Sequence, residues 1–379
     1  MDFELSGEQE MIQDVAQSFG EERIKPFARD WEAAGTIPRE IWKGCAELGF
    51  GGLYVSEEFG GSGLTRLDAM LVIEALSRSC PSVAAFLSIH NMCAGMIDRY
   101  GSQALKSRLL GDVTAMDKVM SYCLTEPGAG SDAASLATRA QSVDGGYALT
   151  GTKAFISGGG YSDGYIVMAR TGDTGPDGIS ALIVEDGAEG LSFGALEQKM
   201  GWKSQPTRQV QFDACIVPEG NLLGTVGDGF RYAMAGLDGG RINIAACSLG
   251  AAQAALEATV QYMSERRAFG KSIDQFQALQ FRLADMEIRM QAARVFLRQA
   301  AWKLDRGAAD ATKSCAMAKA FATEVGSEVA NACLQLHGGY GYLADYGIEK
   351  IVRDLRVHEI LEGTNEIMRL IVSRTMVSA

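Results

Sequence analysis

The chain has 379 residues, 47% of them hydrophobic and 22% charged, and a formal net charge of −12. That length holds two or three folded units with sizeable cores, and the composition is that of a globular protein in water. The acidic balance excludes a general nucleic-acid binder, which needs a basic face, and no apolar run is long enough for membrane insertion.

Met1-Asp2-Phe3-Glu4-Leu5 lacks the basic-then-apolar order of a secretory leader. The eight cysteines are scattered and form no CxxC pair. Their apolar neighbours predict buried thiols in a reducing compartment rather than a disulfide framework. With three histidines in the chain, no metal site is expected.

To about residue 120 the pattern is helical. Ser6 and Gln9 form a capping box ahead of Ile12, Val15, Ala16 and Phe19 at helical spacing. Phe59-Gly60-Gly61-Ser62-Gly63-Leu64-Thr65 reads as a turn between helices, because no strand with a dinucleotide fingerprint leads into it. Asp68 to Ser79 and Val83 to Tyr100 read as buried helices.

From about 121 to 230 the period changes. Gln209-Val210-Gln211-Phe212-Asp213 alternates strictly, as a half-buried strand does. Residues 148–157, 165–170 and 181–185 are further β-rich runs bounded by turn formers. From 231 on, Ile242 to Arg266, Gln277 to Arg306 and Ala309 to Leu336 are long, Ala-rich and amphipathic. The expected fold is an α+β multidomain chain. It comprises an N-terminal α-helical domain (1–120), a central β-barrel or sandwich domain (121–230) and a C-terminal four-helix-bundle domain (231–379).

Five stretches carry chemistry. Leu124 to Asp132 is a Gly-rich loop after the short strand Ser121-Tyr122-Cys123; it reads equally as a ligand loop or as an ordinary loop capped by Asp132. Asp238-Gly239-Gly240-Arg241 reads as the start of a long helix, with free N–H groups for a ligand or none but its own first turn to serve. Ser264 to Lys271 closes a helix with basic residues, which favour a helix C-terminus or an anionic group. Gln335 to Tyr342 combines helix termination with glycines that admit a close approach. Finally, Gly363 breaks a helical pattern and Thr364 caps the next helix, leaving Glu362 between the two. A carboxylate there is either a solvated turn residue or a base beside a polarised carbonyl.

In their order, these stretches resemble the acyl-CoA dehydrogenase family over nearly the whole chain. The likeness rests on TEPGAGSD at Thr125–Asp132, KAFISGG at Lys153–Gly159, ERRAFG at Glu265–Gly270, QLHGGYGY at Gln335–Tyr342 and LEGTNEIMR at Leu361–Arg369. Ser88–Cys93, Gly201–Thr207 and Gly239–Ala245 look like the branch that acts on isobutyryl-CoA.

The resemblance implies an FAD enzyme that oxidises a short branched-chain acyl-CoA, isobutyryl-CoA to methacrylyl-CoA. Glu362 would take the α-proton while the β-hydrogen leaves as hydride to the flavin. FAD contacts are implied for Tyr122, Cys123, Leu124, Thr125, Gly130 and Ser131, and for Phe155, Ile156 and Ser157, with Phe155 where many members carry Trp. They are also implied for Arg266, Phe269, Phe276 and Gln277, for Gln335, Leu336, His337, Gly338 and Gly339, and for Thr364, Asn365 and Glu366, several of them across a subunit boundary. Substrate contacts are implied for Ser131, Asp238, Gly239, Gly240, Arg241 and Arg374. In other branches a glutamate on the helix near Asp238 resembles the base; Gly240 stands there in this chain. The resemblance further implies a homotetramer, an electron-transferring flavoprotein as acceptor, and a cytoplasmic (or, for a processed eukaryotic chain, mitochondrial matrix) location. A 2-methylbutyryl-CoA or butyryl-CoA dehydrogenase, an acyl-CoA oxidase on the same fold, a related flavin monooxygenase and a non-catalytic acyl-CoA binder are the alternatives; the retained Glu362 argues against the monooxygenase and the intact motif set against the binder.

Overall fold

The computed structural model describes residues 4–377. Its first part is six helices: α1 (Gly7–Phe19), α2 (Ala28–Ala34), α3 (Arg39–Glu47), α4 (Arg66–Ser77), α5 (Pro81–Tyr100) and α6 (Gln103–Thr114). The Ser6–Gln9 capping box forms as expected, and Thr65 with Asp68 makes a second one at the head of α4. From Ala69 to Ser77 every residue of α4 is buried. A helix apolar on all sides belongs in a core, and α4 and α5 pack against each other and against the C-terminal helices.

The middle is a single eight-stranded sheet: β1 (Met120–Cys123), β2 (Arg139–Val143), β3 (Gly146–Ser157), β4 (Gly164–Arg170), β5 (Ile179–Glu185), β6 (Leu191–Phe193), β7 (Thr207–Pro218) and β8 (Leu222–Leu223). The order is β6-β7-β3-β2-β4-β5-β8, with β1 parallel to β4. Only the pair Arg139↔Arg170 joins β2 to β4. At that corner the sheet folds over, so that Ile156, Val210 and Phe212 from one half share a core with Tyr165, Val167 and Leu182 from the other. Between Lys153 and Ile156 the β3–β7 register slips, and Phe155 lies in the bulge at φ 59°. Bulges re-aim side chains, and Phe155 is 71% exposed.

The last part holds α7 (Gly229–Glu265), α8 (Gln277–Asp305), α9 (Ala311–Leu336), α10 (Ile348–Leu355) and α11 (Asn365–Val377). Helices α7, α8 and α9 pack mutually, and α11 lies on α9. A two-residue ladder, β9 (Arg267–Ala268) with β10 (Lys271–Ser272), joins α7 to α8. The sequence expectation for α7 is corrected here. The helix begins at Gly229, so Asp238, Gly239, Gly240 and Arg241 lie inside it and offer no free N–H groups. The glycine pair looks like a breaker locally, but packing requires it. A Cβ at position 239 would stand 2.6 Å from Arg66 Nη1, and one at 240 would stand 2.5 Å from Glu362 Oε2.

All eight cysteines are free and buried. Among the described residues, no helix is long and apolar enough to cross a membrane. One ion pair is enclosed in the sheet region: Lys153 Nζ lies 2.7 Å from Glu126 Oε1, their side chains 0% and 6% exposed. Removing one partner strands a buried charge, so Lys153→Met is expected to destabilise the protein by about 3–5 kcal/mol. Breaking the open Arg369–Glu324 pair with Arg369→Met is expected to cost less than about 1 kcal/mol. Thermal unfolding followed by circular dichroism compares the two, and equal midpoints would contradict the assignment.

Candidate active site

Glu362 sits between a 3-10 turn (Arg356–Glu359) and α11. Its φ is 58°, the left-handed region that a residue with a Cβ adopts rarely. Thr364 Oγ1 accepts from the Ile367 N–H at 3.3 Å, the expected cap on α11. Two cationic side chains grip the turn by its carbonyls. Arg241 Nε donates to Glu362 O at 3.4 Å, and Lys319 Nζ donates to Gly363 O at 2.9 Å. Among the described residues the Glu362 N–H has no hydrogen-bond partner.

The carboxylate is enclosed, and its Oε2 has no hydrogen-bond partner. Burial pushes the Glu362 carboxyl up to about 7, against the opposing charges of Arg241 and Lys319. Space for it comes from Gly240, where any side chain would collide with the carboxylate. Arg241 is neutralised by Asp238 at 2.6 Å, and Asp238 accepts in turn from Thr312 at 2.6 Å. On the sheet side, the Tyr122 hydroxyl is buried without a partner. Burial raises the Tyr122 pKa, and Glu362 and Cys93 lie close enough to add to the effect. Tyr122 is thus an electrostatic neighbour of Glu362.

Below the turn, Trp202 Nε1 donates to His358 Nε2 at 3.2 Å. The proton of His358 is thus on Nδ1, which donates to Ser248 Oγ at 2.7 Å. Burial holds His358 neutral, its pKa lowered to about 3. The chain from Trp202 through His358 to α7 braces the segment that leads to Glu362.

Beside this pocket lies the loop after β1. Lys153 reaches Leu124 O at 3.0 Å as well as Glu126, and the Ala154 N–H donates to Thr125 O at 2.8 Å. Glu126 also accepts from the backbone of Ala137 and Thr138. Leu124 and Thr125 are thereby held against the strand carrying Phe155, Ile156 and Ser157, while Gly130 and Ser131 are exposed farther along the loop. Added Cβ atoms at Gly128 and Gly130 would meet nothing within 4 Å, and the same holds for Gly338 and Gly339. These glycines face open space rather than packed protein.

Gln335 to Gly339, with Arg266, Tyr262, Ile273, Tyr340 and Leu343, line a separate cleft of about 350 Å³. Near it Phe269 is 95% exposed, at φ 52°, with its ring 6.2 Å from Phe276. Gln277 is exposed at the head of α8, and Arg374 is exposed in the last turn of α11. Within one chain, then, Tyr122, Asp238, Gly240, Arg241 and Glu362 come together, while the Gln335 cleft stands apart.

Sequence reasoning missed Lys319, the Trp202–His358–Ser248 brace and the Lys153–Glu126 clamp. Lys319 carried a signal. It falls on the stripe Cys315, Ala318, Lys319, Ala322, which is the buried face of α9.

Family models of the acyl-CoA dehydrogenase N-terminal, middle and C-terminal domains match residues 6–117, 121–215 and 227–377. The chain is 51% identical over 373 residues to a mitochondrial isobutyryl-CoA dehydrogenase of Dictyostelium discoideum, covering 98% of this chain and 90% of that one. Its fold is similar to butyryl-CoA dehydrogenase from Megasphaera elsdenii, with a TM-score of 0.96, 38% identity and full coverage of both chains. A structure of PigA with FAD and proline is similar too, with a TM-score of 0.96 and 31% identity over 100% of this chain and 99% of that one. Matched in all three of its regions, the chain belongs to the acyl-CoA dehydrogenase family, whose members are FAD-dependent oxidoreductases.

Proposed function

We propose that the chain dehydrogenates a short branched-chain acyl-CoA at the α,β bond, with isobutyryl-CoA as preferred substrate and methacrylyl-CoA as product. The observation that carries this reading is the Glu362 carboxylate, buried, unpartnered at Oε2 and raised to about 7. A general base works best with a pKa near the operating pH. Glu362 takes the α-proton. Its unpartnered N–H donates to the thioester oxygen as charge develops there. The apolar surroundings of Tyr122 and Cys93 exclude water from the proton transfer.

The residues fit FAD. The open faces of Gly128 and Gly130 and the out-turned ring of Phe155 suit a flat group laid along the loop. Tyr122 to Ser131 and Phe155 to Ser157 lie along its flavin, Thr364 to Glu366 approach its adenosine half, and Ser131, Asp238 to Arg241 and Arg374 take the acyl-CoA. When bound, FAD supplies the acceptor for the β-hydride. Arg266, Phe269, Phe276, Gln277 and Gln335 to Gly339 serve the cofactor of a neighbouring copy in a homotetramer, and an electron-transferring flavoprotein reoxidises the enzyme. On α8, Phe281, Ile288, Val295 and Trp302 are exposed by 60%, 66%, 47% and 42%. Their seven-residue spacing is that of a helix seam, which supports a contact between copies there.

Three measurements test the reading. Glu362→Gln is expected to keep FAD bound yet slow bleaching of the flavin absorption by isobutyryl-CoA at least 100-fold; bleaching at the wild-type rate puts the base elsewhere. In a panel of thioesters, kcat/KM for isobutyryl-CoA is expected to exceed that for butyryl-CoA and isovaleryl-CoA by about 10-fold or more, the discrimination a methyl group in an apolar pocket gives. Equal values refute the substrate assignment. Native mass spectrometry is expected to find a tetramer that Ile288→Glu dissociates, and a monomeric wild type rules out the shared site.

A further inference from the structure

We propose that Lys319 is the positioning residue of the catalytic turn, pinning the Gly363 carbonyl so that the Glu362 N–H and carboxylate stay turned into the substrate cleft. The inference rests on Glu362 being the base.

Lys319 is 0% exposed and makes no ion pair within 4 Å among the described residues. A buried ammonium without a carboxylate partner is costly to retain, and here its donors are spent on the turn. One bond goes to Gly363 O at 2.9 Å and another to Asn365 Oδ1 at 2.9 Å. Asn365 is itself oriented, since its Nδ2 donates to Thr323 Oγ1 at 3.1 Å and to Glu324 Oε1 at 3.3 Å. Lys319 thus ties α9 to both sides of the break at Gly363, one residue past the base and at the first residue of α11. Arg241 holds the Glu362 carbonyl from α7, at a longer 3.4 Å.

Charge adds a second role. Facing Glu362 are Arg241 of α7, Lys319 of α9, Tyr122 of β1 and Cys93 of α5. Facing Lys319 are Glu362, Arg241, Glu359 of the 3-10 turn and Glu366 of α11. Burial raises Glu362 to about 7, while Arg241 and Lys319 pull it down. Burial lowers Lys319 to about 8. The base form of Glu362 is populated above its midpoint, so the wild-type rate is expected to fall as pH drops through about 7. Taking away the Lys319 charge removes one of the two groups that lower the midpoint, and the acid limb moves to higher pH.

Two variants separate the roles. Lys319→Gln keeps an N–H donor and loses the charge; Lys319→Met loses both. Flavin bleaching by isobutyryl-CoA is measured against pH, and the protonated-carboxyl infrared band of Glu362, assigned by its absence in Glu362→Gln, is titrated without substrate. Lys319→Gln is expected to shift both midpoints upward with bleaching at high pH within about 5-fold of wild type. Lys319→Met is expected to shift them likewise and to lose about 10- to 100-fold at high pH, with a smaller change in KM. Unmoved midpoints in Lys319→Gln overturn the charge role, and a wild-type high-pH rate in Lys319→Met overturns the positioning role. If Lys319→Met fails to fold, Lys319→Gln decides through its midpoint. A wild type that no acyl-CoA bleaches defeats the functional reading instead, and the infrared titration still tests Lys319.

Discussion

A glutamate held in left-handed backbone is the constraint on which the pocket depends. A non-glycine residue at such a φ costs about 1–3 kcal/mol and persists only where its surroundings leave no alternative. Here the surroundings are two buried cations on two different helices, each bonded to one of two consecutive carbonyls. Charge-assisted bonds gain strength in a low-dielectric interior. Arg241 is balanced by Asp238, whereas Lys319 is held by neutral acceptors, the Gly363 carbonyl and the amide oxygen of Asn365. With both carbonyls bonded into the protein, the turn that carries the Glu362 carboxylate is tied to two helices at once.

The sheet meets the same need by a different device. The loop after β1 is rich in glycine and has little side-chain packing of its own to fix it. Glu126 organises it from beneath by taking the Lys153 ammonium and two backbone N–H groups. Since Lys153 belongs to β3, the loop and the bulge that turns Phe155 outward move as one body. Both halves of the pocket are therefore set by a buried lysine bonded to backbone carbonyls, Leu124 on one side and Gly363 on the other.

Most of the fold was legible because periodicity reports burial, and burial decides these elements. The capping residues Ser6 and Thr364 and the alternation from Gln209 to Phe212 were read from physics that is local in sequence. Local physics failed at Asp238 to Arg241. A Gly-Gly pair lowers helix propensity, yet α7 runs through it because Arg66 and Glu362 need the volume that side chains there would fill. Those two residues are far away in sequence, so no local pattern announces them. Lys319 was hidden for the opposite reason. A lysine on an Ala-rich helix reads as solvated, and only its place on the apolar stripe of α9 says otherwise. The glycines at 338 and 339 read as a break that admits a close approach; the open space beside them and their separation from Glu362 are properties of the fold.

That separation has a consequence for how a bound group must lie. Lys319 and Gln335 share α9, sixteen residues and about 24 Å apart along the helix. One end of α9 bonds the Glu362 turn through Lys319, and the other ends at the cleft of Arg266 and Gly338. Beside that cleft, Phe269 presents nearly its whole ring to solvent in a strained conformation. A large exposed aromatic held at positive φ is poorly explained by the packing of a single chain, and it is well explained by a ligand or a second copy that covers it. The length of α9, more than any loop, then sets the spacing between the Glu362 turn and the Gln335 cleft.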